Sequence, residues 1–168
     1  MIKLVNIDYR LVHGQVVFGW AKWLQIEHLV IIDDEVIKND FAMDMLKLGL
    51  PNGMDASIVG RNQTKQAVES KAAQTKKTMV ILPDPIAALA FVKEIPTDYV
   101  NISNVKEKEG SERFSNCCFL NPAEQQAIQE MIAMGIKVDA FSTPGDAKGI
   151  NLNKICERRM KKNVTHAQ

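Results

Sequence analysis

Short apolar runs alternate with amphipathic stretches along nearly the whole chain, and that alternation leaves few folds open. The apolar runs are Ile2 to Ile7, His28 to Ile32, 55–60 (DASIVG), 78–82 (TMVIL), 99–103 (YVNIS), 116–120 (NCCFL) and 137–142 (KVDAFS). Each has the length of a strand. Between them lie helical patterns. Val16, Trp20 and Trp23 or Leu24 share helical spacing over Gln15 to Leu24, and Phe41, Ala42, Met45, Leu46 and Leu48 do so before Gly49 and Pro51. A polar helix is predicted over 62–75, and Asp84-Pro85 starts one that reaches Lys93. Asn121-Pro122-Ala123-Glu124 reads as a capping box for a helix ending near Gly135. A last helix over Asn151 to Lys162 puts Leu152, Ile155, Cys156 and Met160 on one face.

Strand and helix in turn predict an α/β fold, with a mostly parallel central sheet of about seven strands and helices on both faces. The charged stretch NVKEKEGSERFS is too short for a helix and reads as a solvated turn around Gly110. Strands five and six are therefore expected to pair antiparallel, one of them at an edge. No linker or repeat interrupts residues 1–168, which are read as one domain with a frayed tail, NVTHAQ.

Composition narrows the function classes. A formal net charge of +1 gives no electrostatic case for nucleic acid or an acidic membrane. No apolar run approaches the roughly 18 residues of a membrane helix, and MIKLVNIDYR lacks signal-peptide organisation. A cytoplasmic protein is expected. Cys117, Cys118 and Cys156 have no metal spacing, and the first two lie in an apolar run as core residues. With three scattered histidines and no paired-glycine fingerprint, neither a metal site nor dinucleotide binding is visible. Asp33 and Asp34 read as a helix cap.

In open α/β sheets ligands bind beyond the carboxyl ends of the strands. Strand one is followed by Asp8, Arg10 and His13, the densest group of reactive side chains at any strand end. Strand two is followed by Asp33 and Asp34, strand three by Arg61 and Asn62, strand four by Asp84, and strand five by Ser103 and Asn104. His13 stands just before a helix, where free N–H groups and the positive dipole end favour an anion. Gly14 permits unusual backbone angles and close approach. Arg10 offers a planar fork for phosphate, and Asp8 could orient Arg10 or the imidazole. A neutral imidazole is a capable nucleophile. These parts suit a phosphoryl group held on His13; the bland reading is a histidine that caps the helix. His28 reads as structural and His166 as solvated.

The run NIDYRLVHGQVVFGWAKWL resembles the N-terminal signature of the IIB components of the mannose/fructose/sorbose family of the bacterial sugar phosphotransferase system. Asp8, Arg10, Leu11, His13, Gly14, Gln15, Val16 and Trp20 fit that signature, and VIIDDEVIKNDFAMDMLKLGLPNGM, VILPDPIAALAFV and YVNISNV extend the likeness. The resemblance implies that His13 accepts a phosphoryl group on Nδ1 from a IIA protein. His13 then passes it to a sugar entering through membrane IIC and IID partners. On the residues themselves Arg10 and Asp8 are expected to assist, and Arg10, Gly14 and Gln15 to bind the phosphate, with no cofactor. The chain would then lie in the cytoplasm against the membrane permease. Tyr9, Asn6 and the NISN turn depart from the family pattern without removing the acceptor.

Other readings remain. A receiver-type module needs an acidic pair after strand one, an aspartate after strand three and a lysine after strand five; all three are missing. A non-catalytic anion-binding or regulatory module predicts reversible binding only. A hydrolase using His13 as base lacks a nucleophile placed beside it.

Overall fold

The computed structural model describes residues 1–157, so the end of the last predicted helix, the tail and His166 lie outside the described residues. The strands are β1 (Ile2–Asp8), β2 (His28–Ile32), β3 (Asp55–Val59), β4 (Thr78–Leu82), β5 (Tyr99–Asn104), β8 (Lys137–Ala140) and β9 (Ile150–Asn151), with β6 (Glu112–Ser115) and β7 (Cys118–Leu120) apart from them. The main sheet has seven strands in the order β3-β2-β4-β1-β5-β8-β9. Every pair in it is parallel except β8 with β9.

The helices divide between the two faces. Helix α1 is wound as a π-helix over Gln15–Ala21 and as an α-helix over Lys22–Leu24. Its Val16, Trp20 and Ala21 pack on Leu4, Leu29, Ile31, Met79 and Ile81, and Leu46 of α2 (Asp40–Leu48) joins the same layer. The opposite face carries α3 (Thr64–Glu69), α4 (Lys71–Thr75), α5 (Pro85–Glu94) and α6 (Pro122–Ala133). There Val68, Ala73, Phe91 and Met131 pack on Val5, Ile7, Val80, Leu82 and Ile102. Parallel strands must be covered on both faces, and the near-continuous apolar runs of β2 and β4, buried throughout, are the sequence trace of it.

This topology fixes where a ligand belongs. The chain leaves β1 over the α1 face toward β2 and leaves β5 over the α6 face toward β8, and these two strands are neighbours. The crevice beyond their carboxyl ends is the switch point of the sheet. Their register also steps there, from Ile7 opposite Ile102 to Asp8 opposite Asn104.

Four expectations need correction. The strand 116–120 does not join the main sheet or pair antiparallel with β5. Its ordered part, β7, pairs antiparallel with β6, a strand hidden in the charged stretch, and touches the β5 side through a parallel bridge between Val105 and Cys118. Lys108 of that stretch pairs with Glu124, which is buried in the α6 capping box, so the segment is more than a solvated turn. The antiparallel edge strand is β9, too short to show a pattern; the last helix starts after it, at 152. The helix predicted over 62–75 breaks at Ser70, whose extended backbone and side chain cap α4 instead of continuing α3.

Asp84 caps α5 with Pro85 following, and Asn121 with Glu124 completes the α6 capping box, as expected. Cys117 and Cys118 are buried, and burial pushes both thiols up.

Candidate functional site

The loop after β1 is built by its first residue. The Asp8 carbonyl accepts from Leu11 N–H at 3.0 Å, and its carboxylate accepts from Arg10 N–H at 3.0 Å, an aspartate-led turn. Leu11 takes φ +57°, the left-handed region that a leucine rarely enters, and is nonetheless buried against the α1 layer. Burial of that side chain outweighs the backbone cost and swings the chain back, so that His13 returns over Asp8. Leu11→Ala should lower stability by about 2–4 kcal/mol. Leu11→Gly should cost no more than Leu11→Ala despite the smaller side chain, because glycine enters this backbone region freely. Urea unfolding of both variants checks this.

Asp8, Arg10, His13 and Gln15 meet as one cluster. Asp8 is fully buried, and its carboxylate accepts from Arg10 Nε and Nη2, each at 3.3 Å, while His13 Nε2 lies 2.7 Å from its Oδ2. Arg10 Nη2 also donates to Gln15 Oε1 at 2.7 Å. The Gln15 backbone N–H donates to His13 Nδ1 at 3.3 Å. A backbone N–H can only donate and a carboxylate only accepts, so the two contacts agree on one tautomer. Nε2 carries the hydrogen, and Nδ1 carries the lone pair, facing the start of α1.

Gly14 differs from expectation. It sits at φ −52°, ψ −44°, ordinary right-handed helix, and the unusual angle falls on Leu11 instead. Val17 is core, whereas Phe18 is exposed near the loop.

The other strand ends do not join the cluster. Asp33 caps the turn over Glu35 and Val36; Asp34 pairs with Arg61; Asp84 caps α5. Only the fifth strand end contributes, through the Asn104 carbonyl that accepts from Tyr9 N–H at 3.1 Å. His28 is buried at the far end of the sheet beside Ser57 and Asp55. Among the described residues no group of three or more His, Cys, Asp or Glu could hold a metal ion, and no helix is long and apolar enough to cross a membrane.

Beneath the cluster, on the same face of the sheet as Asp8, lies a buried polar layer that the sequence did not reveal. Asn6 Oδ1 accepts from Asn101 Nδ2 and Ser103 Oγ, each at 2.8 Å, and Asn101 exchanges bonds with the Phe141 backbone at 3.0 and 3.2 Å. Asn101 thereby ties the segment after β8 to the sheet. In that segment Asp146 accepts from Ser142 Oγ at 2.7 Å, Ser142 N–H at 3.1 Å and Lys148 N–H at 2.9 Å. The rim position after strand seven, with Gly145 beside Asp146, was the available signal for this group.

The Ser142 side chain, then the Lys148 N–H, hold the Asp146 carboxyl below the usual carboxylate range. A depressed folded-state value stabilises the fold above the unfolded value of about 3.9, and that contribution fades as pH falls through the folded value. Asp146→Asn should therefore lower the melting temperature at about pH 6, with the gap to the parent closing toward about pH 3. Thermal unfolding across that range checks it.

The chain is similar to known proteins over nearly its whole length. A family model described as "PTS system sorbose subfamily IIB component" matches residues 2–167. A sorbose-specific EIIB component of Lacticaseibacillus casei is 29% identical over 158 residues, 94% of this chain and 96% of that protein. A probable phosphotransferase enzyme IIB component of Streptococcus pyogenes is 33% identical over 148 residues, 84% and 90% of the two chains. The crystal structure of the IIBSor domain of the Klebsiella pneumoniae sorbose permease superposes with a TM-score of 0.85 at 23% identity, covering 94% of this chain and 97% of that one. The chain belongs to the IIB components of the phosphotransferase system, in the mannose/fructose/sorbose family.

Proposed function

We propose that this protein is the phosphocarrier of a sugar phosphotransferase system, with His13 as the residue that is phosphorylated. The reading rests on one observation: His13 is held at both ring nitrogens, with Nε2 on Asp8 and Nδ1 kept as the base. The Nδ1 lone pair attacks the phosphorus of a phosphorylated IIA protein in line; the new N–P bond forms as the donor's bond breaks. Asp8 stabilises the positive charge that the ring gains. In the second transfer a sugar hydroxyl oxygen takes the phosphorus, the Nδ1–P bond breaks, and the hydroxyl proton is released. The membrane IIC and IID components present that sugar. No cofactor enters either step.

Arg10 is partly exposed and already held between Asp8 and Gln15, whose backbone N–H donates to the acceptor nitrogen. We assign it, with the N–H groups of Gly14 and Gln15, to the phosphate oxygens. Arg10→Ala should slow phosphorylation of His13 by about 10²–10³-fold, with the concentration of donor giving half-maximal rate changed far less. Arg10→Lys should recover only part, because an ammonium lacks the planar fork. Rapid-quench labelling with phosphorylated IIA separates the two quantities. The reading itself is tested by incubation with phosphoenolpyruvate, enzyme I, HPr and IIA. It expects an acid-labile, base-stable phosphoryl group mapping to His13; reversible anion binding without label would favour a regulatory module.

A further inference from the structure

Tyr9 has no part in the chemistry above, yet two cations are gathered on it. The Arg10 guanidinium carbon lies 5.8 Å from the centroid of its ring and the Lys106 ammonium 5.4 Å, both over the ring. The backbone fixes this meeting from both sides. Tyr9 N–H donates to the Asn104 carbonyl at 3.1 Å, across the neighbouring ends of β1 and β5. Val105, the next residue, is buried; it donates to the Cys117 carbonyl at 2.8 Å and accepts from Phe119 N–H at 3.2 Å. Lys106 therefore departs from an anchored residue. Among the described residues its ammonium has no carboxylate within ion-pair distance, and the Tyr9 ring is its partner. Arg10, by contrast, also holds Asp8 and Gln15.

We propose that Tyr9 is a positioning residue that gathers Arg10 and Lys106 at the site without neutralising either, and thereby favours the phosphorylated form of His13. This deepens the phosphocarrier reading and rests on it. The negative face of an aromatic ring attracts a cation within about 6 Å of its centroid, but the ring bears no net charge. A carboxylate in its place would attract the same cations more strongly and cancel the charge of one of them. Asp8 already offsets one positive charge, so these contacts join two cations to one carboxylate and leave one positive charge in excess. A phosphoryl group on Nδ1 brings negative charge to the Gln15 N–H, beside the side chain that Arg10 holds. The uncancelled cation attracts that group and not the bare imidazole, and only such a difference between two states moves the equilibrium between them. The ring is 41% exposed and Lys106 is exposed, so dissolved salt weakens the attraction.

The test is the equilibrium of phosphoryl exchange between phosphorylated IIA and His13, read from the label on each protein at low and high salt, about 0.05 and 0.5 M. Tyr9→Asp should shift the equilibrium toward IIA by about five- to tenfold at low salt, with most of that gap closing at high salt. Tyr9→Leu, which keeps bulk without a ring, should shift it about threefold, whereas Tyr9→Phe keeps the ring face and should stay within about twofold of the parent. Lys106→Gln should lower it about threefold in the parent and little in Tyr9→Leu, where nothing gathers the ammonium. A merely structural role for Tyr9 would give neither this order nor its salt dependence. Titration of the ¹⁵N-labelled, unphosphorylated proteins with inorganic phosphate, followed at the Gly14 and Gln15 amides, should give the same ranking without any transfer. Four outcomes would each overturn the proposal: Tyr9→Phe falling as far as Tyr9→Leu, Tyr9→Asp matching the parent, additive losses from Tyr9→Leu and Lys106→Gln, or equal phosphate binding by every form. If the parent takes no label on His13, the phosphocarrier reading falls, and the phosphate ranking then decides the gathering of Arg10 and Lys106 on its own.

Discussion

His13→Ala should reduce phosphoryl acceptance from phosphorylated IIA to background, a loss of at least about 10³-fold, while the protein stays folded. The expected asymmetry follows from the contacts. The histidine ring makes one short bond, to Asp8, and borders the surface, so its removal leaves the Asp8 carboxylate still paired with Arg10 and its backbone N–H. The fold loses little, and the chemistry loses its nucleophile. The measurement is incorporation of label from phosphoenolpyruvate through the general carriers, beside a thermal melt of the same preparation. A variant that still takes up label at the parental rate would remove His13 from the mechanism.

The second large effect belongs to Asp8. Asp8→Asn keeps the size and burial of the side chain, but its amide presents either an oxygen or an NH₂ to His13 Nε2. If the NH₂ turns toward the ring, the ring must accept there, and the hydrogen moves to Nδ1, the nitrogen proposed to attack. If the oxygen does so, the NH₂ faces the Arg10 guanidinium, donor against donor. Either arrangement also removes the negative charge that steadies the phosphorylated ring. The expected loss in phosphorylation rate is about 10²–10⁴-fold, comparable to the same change in other carboxylate–histidine pairs. Asp8→Ala should add a stability loss of about 1–3 kcal/mol, since the turn loses the side-chain acceptor of Arg10 N–H and the space of a buried side chain is left unfilled. Rate and urea stability measured together separate the two variants: the asparagine should fail mainly in rate, the alanine in both.

The fold was largely legible because parallel strands buried on both faces announce themselves as apolar runs, and β2 and β4 are apolar almost throughout. Caps were legible for the same local reason: Asp84, Asn121 and Glu124 act within three residues of themselves. What escaped depends on distant partners. β9 is two residues long and exists because Asp139 and Ala140 offer it an edge. β6 is coded by charged residues whose pairing with β7 no period reveals. The pairing of Asp8, Arg10 and His13 was readable, since all three lie within six residues, but the left-handed turn at Leu11 was not. Nothing in a leucine advertises φ +57°. The Asn6, Asn101 and Ser103 layer was hidden because its members lie about 95 residues apart and meet only when β1 and β5 pair.

That last separation governs how the chain acquires its shape. β1 is the first strand made, yet it sits in the interior of the sheet with β4 and β5 as its only neighbours. At roughly 5–20 residues per second on the ribosome, the segment reaching Asn104 emerges on the order of 5–20 s after β1 does. β4 is made in the meantime and offers β1 one edge, but the edge that β5 takes stays open through the interval. The loop after β1, whose Tyr9 N–H donates to the Asn104 carbonyl, therefore gains that support only once β5 is in place. A nascent chain stopped short of β5 holds Asp8, Arg10 and His13 in sequence without the strand that braces their loop.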